Sequence, residues 1–170
     1  DATSGLDQMR FSSDNGTTWS SWEAFNATKS LTLPAGDGTK TVLTQLKDRA
    51  GLVSSNFSDT IILDVMAPAG TILINNNAVY AANASVTLNL TGLDATSGLD
   101  QMRFSSDNGT TWTSWEAFNA TKSLTLPAGD GTKTVLTQLK DKAGLISLDF
   151  SDSITLDTVN PTGTVAVNSD

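Results

Sequence analysis

The sequence predicts an all-β chain in which one antiparallel β-sandwich is repeated in tandem, and three observations carry that prediction. Apolar and polar residues alternate with period two in short runs, turn residues punctuate those runs, and a long block of sequence recurs almost unchanged. The block DATSGLDQMRFSSDNGTTW that opens at Asp1 returns letter for letter at Asp94, a period of 93 residues. Of the 64 positions from Asp1 to Asp64, seven differ in the second copy, among them Ser20 against Thr113, Arg49 against Lys142 and Val53 against Ile146. Beyond that block the likeness weakens but persists, with Pro68, Gly70, Thr71 and Asn75 answered by Pro161, Gly163, Thr164 and Asn168. A period of this length suits one small sandwich per repeat better than the roughly 20–50-residue unit of a solenoid.

The repeat places the boundaries. Asp64-Val-Met-Ala-Pro68-Ala-Gly70 and Asp157-Thr-Val-Asn-Pro161-Thr-Gly163 each follow an alternating run and contain a proline that fixes φ, so both read as short joints. A complete unit then spans 65–157. In that frame 1–64 is a unit missing roughly its first 29 residues, and 158–170 is the first strand of a following unit. The expectation is an excerpt from a longer array.

Within the complete unit seven strands are expected. Thr71–Asn75 opens it, followed by Ser85–Leu90, where Val86, Leu88 and Leu90 share one face and Ser85, Thr87 and Asn89 the other. Leu99–Ser105 and Thr111–Phe118 flank Asp107-Asn108-Gly109, a hairpin signal because Asn-Gly accepts the positive φ angles of a type I′ turn. A two-residue loop there sets Met102 opposite Trp115 and Ser105 opposite Trp112, which turns Met102, Phe104 and Trp115 inward. Trp112 then lies outside near Arg103, within reach of a cation–π contact; a longer turn exchanges the two tryptophans. The first copy repeats this with Met9, Phe11 and Trp22 inside and Trp19 beside Arg10. Lys122–Leu126, Lys133–Lys140 and Ser153–Leu156 complete the set, Asp130-Gly131 supplying the turn between the fifth and sixth. Leu136 breaks the alternation of its strand and is expected to cover an edge or a neighbouring unit.

Seven strands with no helical segment in about 93 residues argue for two packed antiparallel sheets. Three stretches carry a family likeness: Lys140-Asp-Lys-Ala-Gly-Leu-Ile-Ser, the joint Asp157-Thr-Val-Asn-Pro161-Thr-Gly, and Met102-Arg-Phe-Ser-Ser-Asp-Asn-Gly-Thr-Thr-Trp112. On these the chain resembles bacterial and archaeal immunoglobulin-like, or fibronectin type III-like, tandem surface repeats over essentially its whole length. Many such repeats carry Asn where this chain has Leu145. The resemblance implies immunoglobulin-like β-sandwich domains that serve as spacers, adhesive tips or enzyme appendages.

Composition removes several kinds of chemistry. The chain has no Cys and no His, so thiol nucleophiles, Cys or His zinc sites and Ser-His-Asp triads are excluded, and no disulfide staples the fold. Eighteen acidic residues against ten basic ones give a net charge of -8, which opposes binding to nucleic acid and to anionic membranes. No apolar run approaches the roughly 18 residues that would cross a bilayer, so no membrane insertion is expected of this segment. Paired catalytic carboxylates are not expected, because most acidic residues fall in turns where Asp bonds its own backbone. No enzymatic activity and no obligatory cofactor follow from the sequence.

Three kinds of site remain as candidates. Calcium needs only oxygen ligands at flexible spacing, and Asp64, Asp94, Asp100, Asp141 and Asp157 gather near the joints, although no contiguous EF-hand loop is present. Trp19 and Trp112 are candidates for sugar stacking, against the plainer alternative that the tryptophans serve core or interdomain packing. Sequons stand at Asn26, Asn56, Asn83, Asn89 and Asn119, candidates for glycosylation in a host that modifies secreted proteins; those at Asn15 and Asn108 are already explained by turn geometry.

The expected function is a non-enzymatic, extracellular structural repeat of a cell-surface fibre, stalk or adhesin. Its expected partners are neighbouring copies of the same repeat, as one long chain or as a homopolymer joined by strand complementation. The alternative is a glycan-binding or enzyme-appended carbohydrate-binding module, and a phage tail fibre is a further home for the same architecture.

Overall fold

The computed structural model describes residues 2–168; Asp1, where the repeat and the first expected unit begin, and Ser169 and Asp170 at the end of the expected third-unit strand lie outside them. Two compact units are present, Asp1–Met66 and Ala67–Asp170. No helix occurs among the described residues.

The first unit is one antiparallel sheet. Its strands are β1 (Leu6–Ser12), β2 (Glu23–Ala24), β3 (Gly38–Asp48) and β4 (Phe57–Leu63), ordered β2-β1-β3-β4. Met9 and Leu43 are its buried apolar residues, whereas Phe57, Ile61 and Ile62 on β4 are more than half exposed.

The second unit has eight strands: β5 (Ala69–Ile74), β6 (Tyr80–Ala81), β7 (Ser85–Leu93), β8 (Leu99–Ser105), β9 (Glu116–Ala117), β10 (Thr121–Thr125), β11 (Gly131–Asp141) and β12 (Phe150–Leu156). They form a three-stranded sheet, β10-β7-β5, and a five-stranded sheet, β6-β12-β11-β8-β9. Every pairing is antiparallel except β12 with β6. One core joins the two sheets, with Ile72, Ile74, Val86, Leu88 and Leu90 from one and Met102, Phe104, Val135, Leu139, Ile154 and Leu156 from the other. This is an immunoglobulin-like β-sandwich, and its inward residues fall at every second position as the alternation requires.

The packing fixes two small residues. Gly70 and Gly92 pair across β5 and β7, and a Cβ on either would come within 3 Å of the Leu139 side chain. Their missing side chains leave the space Leu139 fills.

The expected strand Thr111–Phe118 is largely irregular. Asn108 and Gly109 do adopt positive φ angles, and the Thr113 N–H donates to the Phe104 carbonyl at 2.9 Å, as a two-residue loop requires. Further out, however, Met102 pairs with Glu116 and not with Trp115. One extra residue has entered the second side between Thr113 and Glu116, and a one-residue slip moves every later side chain to the opposite face. Trp115 is therefore outside the core, contrary to the inward placement expected of it. The first unit repeats the slip: Ser20 N–H donates to the Phe11 carbonyl while Met9 pairs with Glu23, so Trp22 is also outside. Leu136 sits beneath Gly109 and supports the turn of its own unit. Beyond β12, residues 158–168 pair with no strand, and the Thr158 N–H and hydroxyl donate to Asp130.

Candidate functional site

The displaced tryptophans build an outer face of alternating rings and cations. Arg103, on the outward side of β8, lies 4.8 Å from the centre of the Trp112 ring and 4.5 Å from that of Trp115. Lys140, outward on β11, lies 4.6 Å from Trp115. The Arg103 Nε donates to Gln138 Oε1 at 2.8 Å, and Gln138 Nε2 donates to Asp149 at 2.6 Å, which holds the guanidinium flat against the sheet. The first unit carries the same set in Arg10, Trp19, Trp22 and Lys47. The expected contact between Trp112 and Arg103 is present. Trp115 and Lys140 were not expected in it, although alternation along Lys133–Lys140 already puts Gln138 and Lys140 on the face away from Leu139.

The turn above these rings is a closed hydrogen-bond unit. Ser105 Oγ accepts the Gly109 N–H at 2.9 Å and donates to Asp107 Oδ1 at 2.7 Å. Asp107 also accepts the Thr111 N–H and hydroxyl. The Thr111 hydroxyl, the Thr111 N–H and the Ser105 hydroxyl together hold the Asp107 carboxyl at about 2, below its ordinary 3.8. Thr18 and Ser12 do the same to Asp14.

Of the five calcium candidates, two lie together in the second unit. Asp94 and Asp141 bring carboxylate oxygens within 4.8 Å of each other at one end of the second unit. Burial raises the Asp94 carboxyl, but the N–H groups of Gly98, Ser97 and Thr96 outweigh it and hold it below the ordinary range. Asp141 closes β11 and is 1% exposed. Asp100 is exposed on β8, with its carbonyl accepting the Phe118 N–H. Asp157 is exposed past β12, where its Oδ1 accepts the Val159 N–H. Asp64 follows β4 in the first unit, and its Oδ1 accepts the Met66 N–H.

The sequons also separate. Asn26, Asn83 and Asn119 are exposed in turns, and each side-chain oxygen accepts the N–H two residues on, at Thr28, Ser85 and Thr121. Asn56 is exposed and accepts from Gln45. Asn89 lies half-buried on β7 with its Oδ1 enclosed and unpartnered.

The first unit opens a cleft of about 340 Å³ lined by Phe11, Trp19, Leu31, Leu33 and Val42, among others. Their counterparts Phe104, Leu126 and Val135 are core residues of the second unit, under strands that the first unit does not contain. One pair illustrates the difference: Ile61 is 57% exposed and its counterpart Ile154 is 1% exposed.

No protein-family model and no curated protein matches the chain. Solved structures similar to it include the fibronectin(III)-like modules of CbhA from Clostridium thermocellum, at 13% identity and a TM-score of 0.48, covering 92% of this chain and 80% of that one. A tetra-tandem repeat from the extending region of a large adhesion protein is similar at 19% identity and a TM-score of 0.34, over 91% of this chain and 42% of that one. The D00-D0 domain of intimin is similar at 14% identity and a TM-score of 0.34, over 92% and 88%.

Proposed function

We propose that the chain is a non-enzymatic structural repeat of an extracellular, cell-surface fibre, stalk or adhesin. The observation that carries this reading is the near-identical recurrence, 93 residues apart, of a 64-residue block that in the second unit lies in a sandwich filled by core, with an outer face tied down by its own side chains. Duplication with so few changes favours a role in which length and repeated surface matter, since identical neighbours add misassembly risk without adding chemistry. Chains carrying two, three and four copies of residues 65–157 test it by small-angle scattering and electron microscopy. Length rising in proportion to copy number is expected; a maximum dimension that stays constant overturns the reading.

The finer reading is assembly by strand complementation between copies. The open face around Ile61 and Val42 in the first unit matches the surface that β5 and β7 close in the second, and the exposed Val165 and Val167 align with the buried Ile72 and Ile74. Concentration-dependent filaments of the 170-residue chain, abolished by Val165→Asp with Val167→Asp, are expected; a monomer at all concentrations removes this assembly route and leaves the stalk reading standing.

The glycan alternative rests on Trp19 and Trp112. Their stacking on Arg10 and Arg103 favours a role in anchoring the loop. Retention on a polysaccharide column that Trp112→Ala abolishes without unfolding would reverse that preference.

A further inference from the structure

Asn-Gly occurs twice in the chain, at Asn15-Gly16 and Asn108-Gly109, each time in the turn that precedes two tryptophans. The dipeptide suits the geometry, since φ is 59° at both asparagines, 87° at Gly16 and 84° at Gly109. It also carries a chemical hazard. Glycine has no side chain to shield its amide nitrogen, and that nitrogen can close a five-membered ring on the side-chain carbonyl carbon of the asparagine before it. Both asparagines are exposed, so water and base reach them. In the folded turn the nitrogen is engaged. The Gly109 N–H donates to Ser105 Oγ at 2.9 Å, and Ser105 is only 3% exposed. The Ser105 proton is itself committed to Asp107 Oδ1 at 2.7 Å, which leaves the hydroxyl oxygen to accept. The Thr111 N–H and hydroxyl hold the same carboxylate. An anion is therefore fixed one hydroxyl away from the glycine nitrogen and opposes a second negative charge there. The first unit repeats these bonds, from the Gly16 N–H to Ser12 Oγ at 2.9 Å, from Ser12 Oγ to Asp14 Oδ1 at 2.7 Å, and from Thr18 to Asp14.

We propose that Asn15 and Asn108 are sites of self-modification by deamidation, which the fold holds off through Ser12 and Ser105. When the turn opens, the Gly109 nitrogen gives its proton to base and attacks Asn108 Cγ. A new N–Cγ bond closes a five-membered imide, the Cγ–Nδ2 bond breaks, and the side-chain nitrogen takes up a proton and leaves as ammonia. Water then opens the imide on one side to aspartate or on the other to isoaspartate, so the reaction needs only base and water. Either product injures this turn. Aspartate sets a second anion next to Asp107, and isoaspartate adds a methylene to the backbone of a loop whose register depends on its length. The other asparagines precede residues other than glycine, which concentrates the reaction in these two turns. Burial separates the protecting serines from their neighbours: Ser12 and Ser105 lie beneath the turn, whereas Ser13 and Ser106 are exposed. An array of such repeats meets the hazard once in every copy.

The two near-identical loops make the test internal to one molecule. The full chain is incubated at mildly alkaline pH, with and without denaturing urea, then cleaved after Lys and Arg. Peptides 11–29 and 104–122 differ only by Ser20 against Thr113, so mass spectrometry follows each separately. In the folded chain both asparagines are expected to persist, and in urea both should convert at one common, faster rate. Ser105→Ala should speed conversion at Asn108 roughly tenfold, the factor that corresponds to losing about one net hydrogen bond, and leave Asn15 at its wild-type rate. Ser12→Ala should do the reverse. A second measurement needs no variant and decides if Ser105→Ala does not fold: the Gly16 and Gly109 amide protons of the wild-type chain should exchange far more slowly than they do in urea. Equal conversion in the folded and the urea-unfolded chain overturns the proposal, as do unprotected glycine amides. So does a Ser105→Ala chain in which both loops accelerate alike, or in which neither does.

Discussion

Asp152 Oδ2 accepts the N–H of Ile74 at 2.7 Å, joining β12 of one sheet to β5 of the other. β5 pairs only with β7, so its outer edge presents N–H groups with no ladder partner. Beyond the two residues covered by β6, β12 is likewise open on that side. One carboxylate thereby satisfies an edge donor and stitches the sandwich where no backbone pairing can, a place that edges usually leave exposed. Asp152→Ala should destabilise the second unit by about 1–2 kcal/mol, the range for a hydrogen bond to a charged acceptor discounted for partial exposure. Its counterpart Asp59 is exposed and bonds only the adjacent Thr60 N–H, so Asp59→Ala should cost less than about 0.5 kcal/mol. Urea titrations of the two variants make the comparison; equal losses would assign the effect to strand propensity instead of the cross-sheet bond.

The two tryptophans should behave as clamps on the 106–115 loop and not as core. Trp115 stacks with two cations, Arg103 and Lys140, whereas Trp112 stacks with one, Arg103. Trp115→Ala should therefore lower stability by roughly 1–2 kcal/mol and Trp112→Ala by about half as much, with near-native cooperativity in both. Amide exchange is the sharper measurement: it should accelerate around Thr110–Thr113 and stay unchanged at Val135 and Leu139. Loss of protection at those core residues would mean that the rings support the sandwich itself.

The fate of these tryptophans shows what could be read from sequence and what could not. Met102 and Phe104 point inward as alternation predicts, because both precede the turn and nothing interrupts the pleat. Trp115 follows the extra residue, and period-two reasoning carries no information about where a strand admits one. Tyr80–Ala81 went unseen for a related reason: two residues paired in parallel with β12 leave no pattern. At the carboxylates, composition and turn chemistry named both Asp94 and Asp141 among five candidates. Only the fold brings together two side chains 47 residues apart, through the Asp141–Leu99 pairing that sets one turn beside the other. A usable local signal existed, since each precedes a glycine of positive φ, Gly98 and Gly144, that closes a turn back onto it.

Acid should find the Asp107 and Asp14 turns first. Both carboxyls titrate at about 2 in the folded chain against an ordinary 3.8, so the unfolded chain binds protons more readily. Their contribution is present above about pH 4 and is lost as pH falls toward 2. Asp107→Asn should lower the melting temperature at pH 7 and flatten its decline between pH 4 and 2. A variant with the wild-type slope would show that the charge on Asp107 does not strengthen the Thr111 and Ser105 bonds.

Gly92 tests how tightly the sheets meet. An added Cβ would stand 2.6 Å from Leu99 and 2.8 Å from Leu139, both side-chain atoms, so relief requires two core neighbours to move together. Gly92→Ala should cost about 1–3 kcal/mol, the usual penalty of overpacking. Leu139→Ala should recover part of that loss in the double variant, because it vacates the space the new methyl needs. Simple additivity in a double-mutant cycle would place the strain elsewhere.

The turn after β5 stores conformational strain that a single substitution should release. Asn75, Asn76 and Asn77 have φ values of 48°, 57° and 65°, three successive left-handed residues in a chain of L-amino acids. The Asn75 side chain is committed, its Oδ1 accepting the Thr87 N–H at 2.8 Å, so that residue offsets its own cost. Asn76 is exposed and its side chain makes no comparable bond to the neighbouring strand. Left-handed geometry costs an L-residue roughly 1 kcal/mol, asparagine somewhat less, and glycine almost nothing. Glycine also loosens the unfolded chain, which opposes the gain. Asn76→Gly should therefore stabilise the second unit by a few tenths of a kcal/mol to about 1 kcal/mol, while Asn75→Gly should destabilise it by losing the Thr87 bond. Opposite signs at adjacent positions, read from chemical denaturation, would separate backbone strain from side-chain bonding; the same sign at both would mean that the turn is set by its neighbours.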